Sequence, residues 1–97
     1  MKRAHSITDE AVCDAVYQLL HKRGCAKSVC PSEVARILSP LQWRDLMSQV
    51  RQVGWRLAEQ RIIKVTQKGE VVQPGVSGPL RFSQGDCFID IELLYKR

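Results

Sequence analysis

The sequence predicts an α+β fold, in which three helices form a core and a β-hairpin follows them. Apolar residues recur at the three- and four-residue spacing of buried helix faces in three stretches up to residue 61. β-Branched residues then cluster at 62–66, directly before a turn that contains glycine. The chain has 97 residues, a length that suits one domain. We therefore expect residues 1–97 to fold as a single domain.

The first helix is predicted over residues 8–22, because both of its ends carry clear signals. Thr8 suits the N-cap, and Asp9 follows in the first turn, where the helix dipole favours a negative charge. A basic stretch at 21–23 precedes Gly24 at the other end. Apolar residues at helical spacing supply the inner face: Val12, Ala15, Val16, Leu19 and Leu20.

A second helix is predicted to begin at Pro31, since proline suits the first helical position. A short extended piece at 27–29 precedes it. The pattern predicts that the buried side of this helix consists of Val34, Ala35, Ile37 and Leu38.

The stretch 40–61 is compatible with one helix or with two. Ser39 and Gln42 have the spacing of a capping box, and Pro40 suits the first helical position, so a helix is predicted to start there. Ser48 suits a second cap, which would divide the stretch at that point. In either case one face is apolar, and the residues predicted to be buried are Trp43, Leu46, Met47, Val50, Val53, Gly54, Leu57 and Ala58.

Two strands are predicted after the helices, at 62–66 and 70–73. Gln67-Lys68-Gly69 between them predicts a turn, with glycine where a positive φ is tolerated. Gly78-Pro79 marks another turn before 80–82. In the tail 83–97, apolar and polar residues alternate from 87 to 95, which favours a strand, and a short helix remains an open alternative.

Helix, short strand, helix, helix and hairpin is the order of a winged helix-turn-helix domain, with a three-helix core and a β-hairpin wing. The chain also resembles domain-of-unknown-function family 3253, a set of small bacterial proteins. Four motifs in the right order carry the resemblance: CPSEVAR at 30–36, WRDLM at 43–47, VTQKG at 65–69 and GPLRF at 78–82. The resemblance covers about residues 10–82 and implies a small winged-helix-like domain without an assigned activity. The extension 83–97 lies outside the shared pattern.

The net charge is +5, and most of it falls on the predicted third helix and hairpin. Residues 43–82 carry seven basic and three acidic residues, a net charge of +4. Such a surface favours an anionic partner, and a helix fits the major groove of duplex DNA. We therefore predict binding to double-stranded DNA, as in a transcription-associated regulator. The predicted nucleic-acid-binding residues are Gln49, Arg51, Gln52, Trp55, Arg56, Lys64, Lys68 and Arg81.

Two roles are expected within this predicted site. Arg51, Gln52 and Arg56 are predicted to face base edges, because Arg and Gln make bidentate hydrogen bonds to guanine and adenine. Lys64 and Lys68 are predicted to contact phosphates together with the basic ends of the first helix. The role of Arg81 stays open, since the same side chain suits either a phosphate or an ion pair with Glu33.

A protein-protein interaction module on the same scaffold is the alternative function. Trp55 lies between arginines on the predicted outer face, which is unusual in a groove-binding helix and common at protein interfaces. Residues 87–95 suit pairing with a second copy in a homodimer. RNA binding is a weaker third option, because the usual aromatic stacking surface is missing from the sequence pattern.

Enzymatic, metal-binding and membrane functions are not expected. No apolar run reaches the roughly 20 residues of a membrane span, and no secretory signal is evident. A cytoplasmic location is therefore predicted, with Cys13, Cys25, Cys30 and Cys87 as free thiols. His21 with the nearby cysteines lacks the tight pairs of a structural zinc site. Phosphate-loop and nucleophile motifs are also missing, so we expect no cofactor and no catalysis.

Overall fold

The computed structural model describes residues 7–25 and 27–88. Three helices and a four-stranded antiparallel sheet confirm the predicted α+β fold, and their order is compatible with a winged helix-turn-helix arrangement. The elements are, in order, α1 (Asp9–Arg23), β1 (Ser28–Val29), α2 (Pro31–Leu38), α3 (Trp43–Glu59), β2 (Ile63–Gln67), β3 (Glu70–Val71) and β4 (Arg81–Gln84).

Helix α1 has the ends that its sequence predicts. The hydroxyl of Thr8 accepts a hydrogen bond from the Ala11 N–H at 3.1 Å, which satisfies one of the free donors at the helix start. At the other end Gly24 has a φ of 94°, and its N–H donates to the Leu20 carbonyl at 3.0 Å. Val12 and Val16 are buried against the other two helices.

Helix α2 begins at Pro31 as predicted, but one of its four predicted core residues is wrong. Val34 and Ala35 are buried and Leu38 is half-buried, whereas Ile37 is 57 % exposed. Successive helical residues are separated by about 100°, which places Ile37 well away from the direction that the other three share. In a helix of only eight residues, an apolar side chain is easily assigned to the wrong face.

Helix α3 is one continuous helix, and its predicted start is wrong. Ser39 ends α2, because its N–H donates to the Ala35 carbonyl at 2.9 Å. The Gln42 N–H then donates to the Ser39 carbonyl at 3.2 Å, so Ser39-Pro40-Leu41-Gln42 forms a turn and not a capping box. The helix begins at Trp43 and passes through Ser48 without interruption.

The sheet has the strand order β1-β4-β2-β3, so β4 lies between β1 and β2. The predicted hairpin turn is confirmed, with Lys68 at φ 54° and Gly69 at φ 84°. Two successive positive φ values are typical of the tight turn that matches strand twist. The returning strand β3 has only two residues, and the main partner of β2 is β4, which the sequence pattern did not predict. We give the name wing to the β2–β4 pair with β3 on its edge, in place of the predicted β2–β3 hairpin alone.

Phe82 on β4 is the largest fully buried side chain among the described residues. It pairs with Val29 of β1 on one side and with Val65 of β2 on the other. Helix α3 approaches it through Gly54, where a Cβ atom would lie 2.4 Å from Cζ of the ring. The absence of a side chain at this position lets the helix lie directly on the ring, which fixes α3 beside the wing.

The tail predictions are tested only up to Phe88. The ring of Phe88 lies against Tyr17 of α1, with 5.4 Å between the ring centroids. The Cys87 N–H donates to the Arg61 carbonyl at 2.8 Å, so the chain is tied to the end of α3 here. The predicted strand at 87–95 is wrong at its first two residues, since Cys87 lies in a turn and Phe88 lies in no strand; residues 89–95 lie outside the described residues.

Candidate nucleic-acid interface

The outer side of α3 carries a row of polar side chains at four-residue intervals. Arg44, Ser48, Gln52 and Arg56 are all exposed, and helical geometry places them one above the other. Two carboxylates, Asp45 and Glu59, are also exposed near the ends of the helix. The row is therefore polar along its whole length, and the nearby carboxylates offset part of its positive charge.

Two predicted site residues, Gln49 and Arg56, have partners within the chain. The Gln49 side-chain N–H₂ donates to the Asp9 carboxylate at 2.8 Å and to the Ile7 carbonyl at 3.0 Å. Arg56 binds the other oxygen of the same carboxylate at 3.1 Å. The hydrogen bond from Gln49 and the Arg56 guanidinium hold the pKa of Asp9 below its ordinary value. Gln49 and Arg56 therefore tie the middle of α3 to the start of α1.

Arg51 binds the long connection between β3 and β4 on the opposite flank of α3. Both of its terminal nitrogens donate to the Gly78 carbonyl at 3.4 Å. Gln67 of β2 holds the same connection, since its side chain donates to the carbonyls of Ser77 and Pro79 at 2.7 and 3.2 Å. These contacts keep the wing beside the helix and leave Gln52 as the predicted base-facing residue without an internal partner among the described residues.

Trp55 lies half-buried in a groove between α3 and the wing and packs against the core. The groove has a volume of about 310 Å³. Apolar residues of β2 and β3 form much of its wall, with charged residues at the rim; the lining comprises Trp55, Ala58, Glu59, Arg61, Ile63, Lys64, Val65, Val71, Val72, Gln73, Pro74, Gly85 and Asp86. Part of the Trp55 side chain therefore packs within the chain and is not available to a partner. Lys64, which is exposed, shares this groove with the end of α3.

Lys64 and Lys68 are the two predicted phosphate-binding residues on the wing. Both are exposed, and neither pairs with a carboxylate among the described residues. Lys68 lies at the hairpin tip in the left-handed backbone region. Their charges are therefore available to an anionic partner.

Arg81 is used inside the fold. Its guanidinium donates to the Ser28 hydroxyl at 2.8 Å and to the Ser28 carbonyl at 3.2 Å, which joins β4 to β1. Arg23, one of the basic residues at the end of α1, also donates to the Ser28 carbonyl and forms an ion pair with Glu33. Arg81 and Arg23, which are predicted from the sequence to contact nucleic acid, are therefore engaged in contacts within the fold.

Glu33 is the acidic centre of that cluster. Partial burial opposes its ionisation, but the Cys30 N–H at 2.8 Å and the positive charges of Arg23 and Arg81 outweigh it. The pKa of Glu33 is consequently lowered from its ordinary value. Asp9 and Glu33 therefore both stabilise the fold in their ionised forms.

Stability is expected to fall as the pH falls through the acidic range. Both carboxyl groups have lower pKa values in the fold than their ordinary values of 3.8 and 4.5, so the unfolded chain takes up protons first. Their contribution is present above about pH 5 and disappears as the pH falls through the folded pKa values. Thermal melts between about pH 6 and 3 measure this, and the double variant Asp9→Asn/Glu33→Gln should show a flatter profile. An unchanged profile in that variant would contradict the assignment.

Trp43, Arg36 and Arg44 form a cluster that sequence analysis missed. The guanidinium carbon of Arg36 lies 4.3 Å from a ring centroid of Trp43, and that of Arg44 lies 4.6 Å away. Both arginines are exposed, and Trp43 is half-buried, so the predicted burial of Trp43 is only partly confirmed, whereas Leu46 is fully buried. A signal for this cluster was available in the sequence, because Arg44 lies in the first turn of the helix that is predicted to contact DNA.

All four cysteines are free thiols, and burial raises the pKa of Cys13. Within residues 7–25 and 27–88, no group of three or more His, Cys, Asp or Glu side chains is arranged to hold a metal ion. No helix in the described part of the chain combines the length and apolar character needed to span a membrane.

The fold and the site together define a small α+β domain in which a polar helix face adjoins a lysine-bearing β-hairpin. Residues 9–85 match the family described as protein of unknown function (DUF3253), and the chain belongs to that family. This confirms the resemblance drawn from the four motifs and extends it slightly at both ends. No curated protein matches the chain.

Proposed function

We propose that this chain is a double-stranded DNA-binding module of winged helix-turn-helix type, acting in the cytoplasm as a transcription-associated regulator. The observation that carries the proposal is the exposed polar row of α3, which adjoins a wing whose two lysines have no described carboxylate partner. A helix of this width fits the major groove, and lysines on an adjacent hairpin suit the phosphates on either side. The free thiols agree with a reducing compartment.

The contacts within the chain suggest a different division of roles from the one the sequence predicts. Arg51, Gln49 and Arg56 already bind the wing and α1, so they position the helix. Arg44, Ser48 and Gln52 carry the base contacts in this proposal, because all three are exposed. Gln52 lies just past the middle of α3, and Arg44 and Ser48 lie in the half nearer its N-terminus. That end of a recognition helix is the one that usually contacts base edges.

The proposal predicts weak, strongly salt-dependent binding to duplex DNA of any sequence. Each phosphate that a lysine or arginine neutralises contributes about −0.9 to the slope of log K against log salt concentration. Lys64 and Lys68, the two residues proposed to contact phosphates, therefore predict a slope of about −2. Fluorescence anisotropy with a random duplex, titrated at several salt concentrations, measures both affinity and slope. Absence of binding at the lowest salt concentration would refute the proposal.

Paired variants locate the contact surface in that experiment. Lys64→Ala/Lys68→Ala should reduce the steepness of the slope by about 2 for all sequences alike. Arg44→Ala should instead reduce discrimination between sequences, by about 1–3 kcal/mol where Arg44 contacts a guanine. Lys27→Ala is the matched control, because Lys27 precedes β1 at the sheet edge opposite to β3. An equal effect of Lys27→Ala would place the DNA elsewhere on the molecule.

A further inference from the structure

The turn between α2 and α3 exposes apolar side chains that the fold leaves uncovered among its described residues. Leu41 is 95 % exposed and Ile37 is 57 % exposed. Val71 is the third large hydrophobic residue of this kind in the described chain, and it lies apart on the edge strand β3. Ile37 and Leu41 are therefore four residues apart, so the end of α2 and the turn that follows it present two exposed apolar side chains that are close in sequence.

Positive charges flank these apolar side chains. Arg36 precedes Ile37, and Arg44 lies three residues after Leu41, and both guanidiniums pack on the ring of Trp43. This shared ring holds the end of α2 and the start of α3 together. We call Arg36, Ile37, Leu41 and Arg44 the turn patch. The two cations flank the apolar residues in sequence, and both guanidiniums meet at the Trp43 ring.

The cations of the turn patch have no anionic partner within the described chain. The ion pairs there join Arg23 to Glu33 and Arg56 to Asp9, and no carboxylate of the described residues binds Arg36 or Arg44. The exposed carboxylate of Asp45 is adjacent in sequence and forms no ion pair with either arginine. A complementary partner must therefore supply both apolar side chains and carboxylates.

One segment of the same sequence has this composition. Residues 89–94, Ile-Asp-Ile-Glu-Leu-Leu, combine four apolar and two acidic residues, and they lie outside the described residues. We propose that the turn patch binds residues 89–94 of a second copy of the chain. In a symmetric pair each copy donates its segment and accepts the other, so the contact forms twice. Arg44 is shared with the surface proposed to contact DNA, so the oligomeric state is measured in the absence of DNA.

The test is the oligomeric state of the full chain. Sedimentation velocity over a wide concentration range, with no tag or ligand present, should show a dimer that dissociates on dilution. Ile37→Ser/Leu41→Ser and Arg36→Glu/Arg44→Glu should each raise the dimer Kd by about tenfold or more. Val71→Ser is the matched control, because it removes an exposed apolar side chain elsewhere and should leave the Kd unchanged.

Charge exchange tests the identity of the occupant. Asp90→Arg/Glu92→Arg should also raise the dimer Kd by about tenfold or more. Mixing this variant with Arg36→Glu/Arg44→Glu should restore dimers, because each patch then meets a segment of opposite charge. Circular dichroism melts establish that every variant is folded. A wild-type chain that stays monomeric throughout, or a mixture that fails to dimerise, would overturn the proposal.

Discussion

Replacing Phe82 with alanine is expected to lower the free energy of unfolding by about 3–5 kcal/mol. The ring is fully buried between β1, β2 and α3, so the substitution removes its burial and leaves a cavity that rigid neighbours cannot fill. A domain of this size usually has a total stability of about 5–15 kcal/mol, so a large share would be lost. Equilibrium unfolding in urea, followed by circular dichroism, measures the difference.

Phe88→Ala is the control for that measurement. Phe88 is half-buried and contacts Tyr17 at the margin of the fold, so its loss should cost clearly less than the loss of Phe82. A Phe82→Ala protein with nearly wild-type stability would show that β4 is not the centre of the core. That result would also remove the physical basis for the position of α3.

Local signals in the sequence predicted the helices well. Thr8, Pro31 and Gly24 act where their intrinsic preferences place them, because capping depends on neighbours within four residues. The same local rules failed at Ser39. Its side chain and Gln42 fit a capping box, but the backbone there is used to end α2 and to form a turn. Two overlapping local signals competed, and only the three-dimensional path of the chain decided between them.

The sheet was less predictable than the helices. The pairing of β4 with both β1 and β2 joins residues that are far apart in sequence, as in the register of Val29 with Phe82. No local pattern in 80–84 distinguishes a central strand from a segment after a turn. The glycine that lets α3 approach Phe82 was assigned to the buried face of the helix, but its steric role depends on a contact that only the fold reveals.

The candidate site shows why a basic stretch in the sequence differs from a basic surface. Residue type and helical period correctly placed Gln52 and Arg56 on the outer side of α3. They did not reveal that Asp9, more than 40 residues away, neutralises Arg56, or that Gly78 binds Arg51. These contacts use charge to position the helix between α1 and the wing. The positive charge left for a partner is consequently smaller than the net charge of +4 over 43–82 suggests.

A valine at position 54 is expected to destabilise the fold toward the upper end of the roughly 1–3 kcal/mol that overpacking costs. A Cβ atom there would lie 2.4 Å from the Phe82 ring, and two further methyl groups enlarge the conflict. The ring has little room to retreat, because its side chain is fully buried in the core. Urea unfolding measures the loss, and Ala58→Val is the control, since Ala58 borders the open groove one turn later in α3.

The double variant Gly54→Val/Phe82→Ala decides whether this contact is the cause. If the clash with the ring destabilises the single variant, valine should cost much less, or should stabilise, when the ring is absent. The coupling energy between two contacting positions of this kind is about 0.5–3 kcal/mol. Additive costs would mean that Gly54 is required for another reason. Repeating the same cycle with DNA affinity as the measured quantity would show whether DNA binding depends on the position of α3 beside the wing.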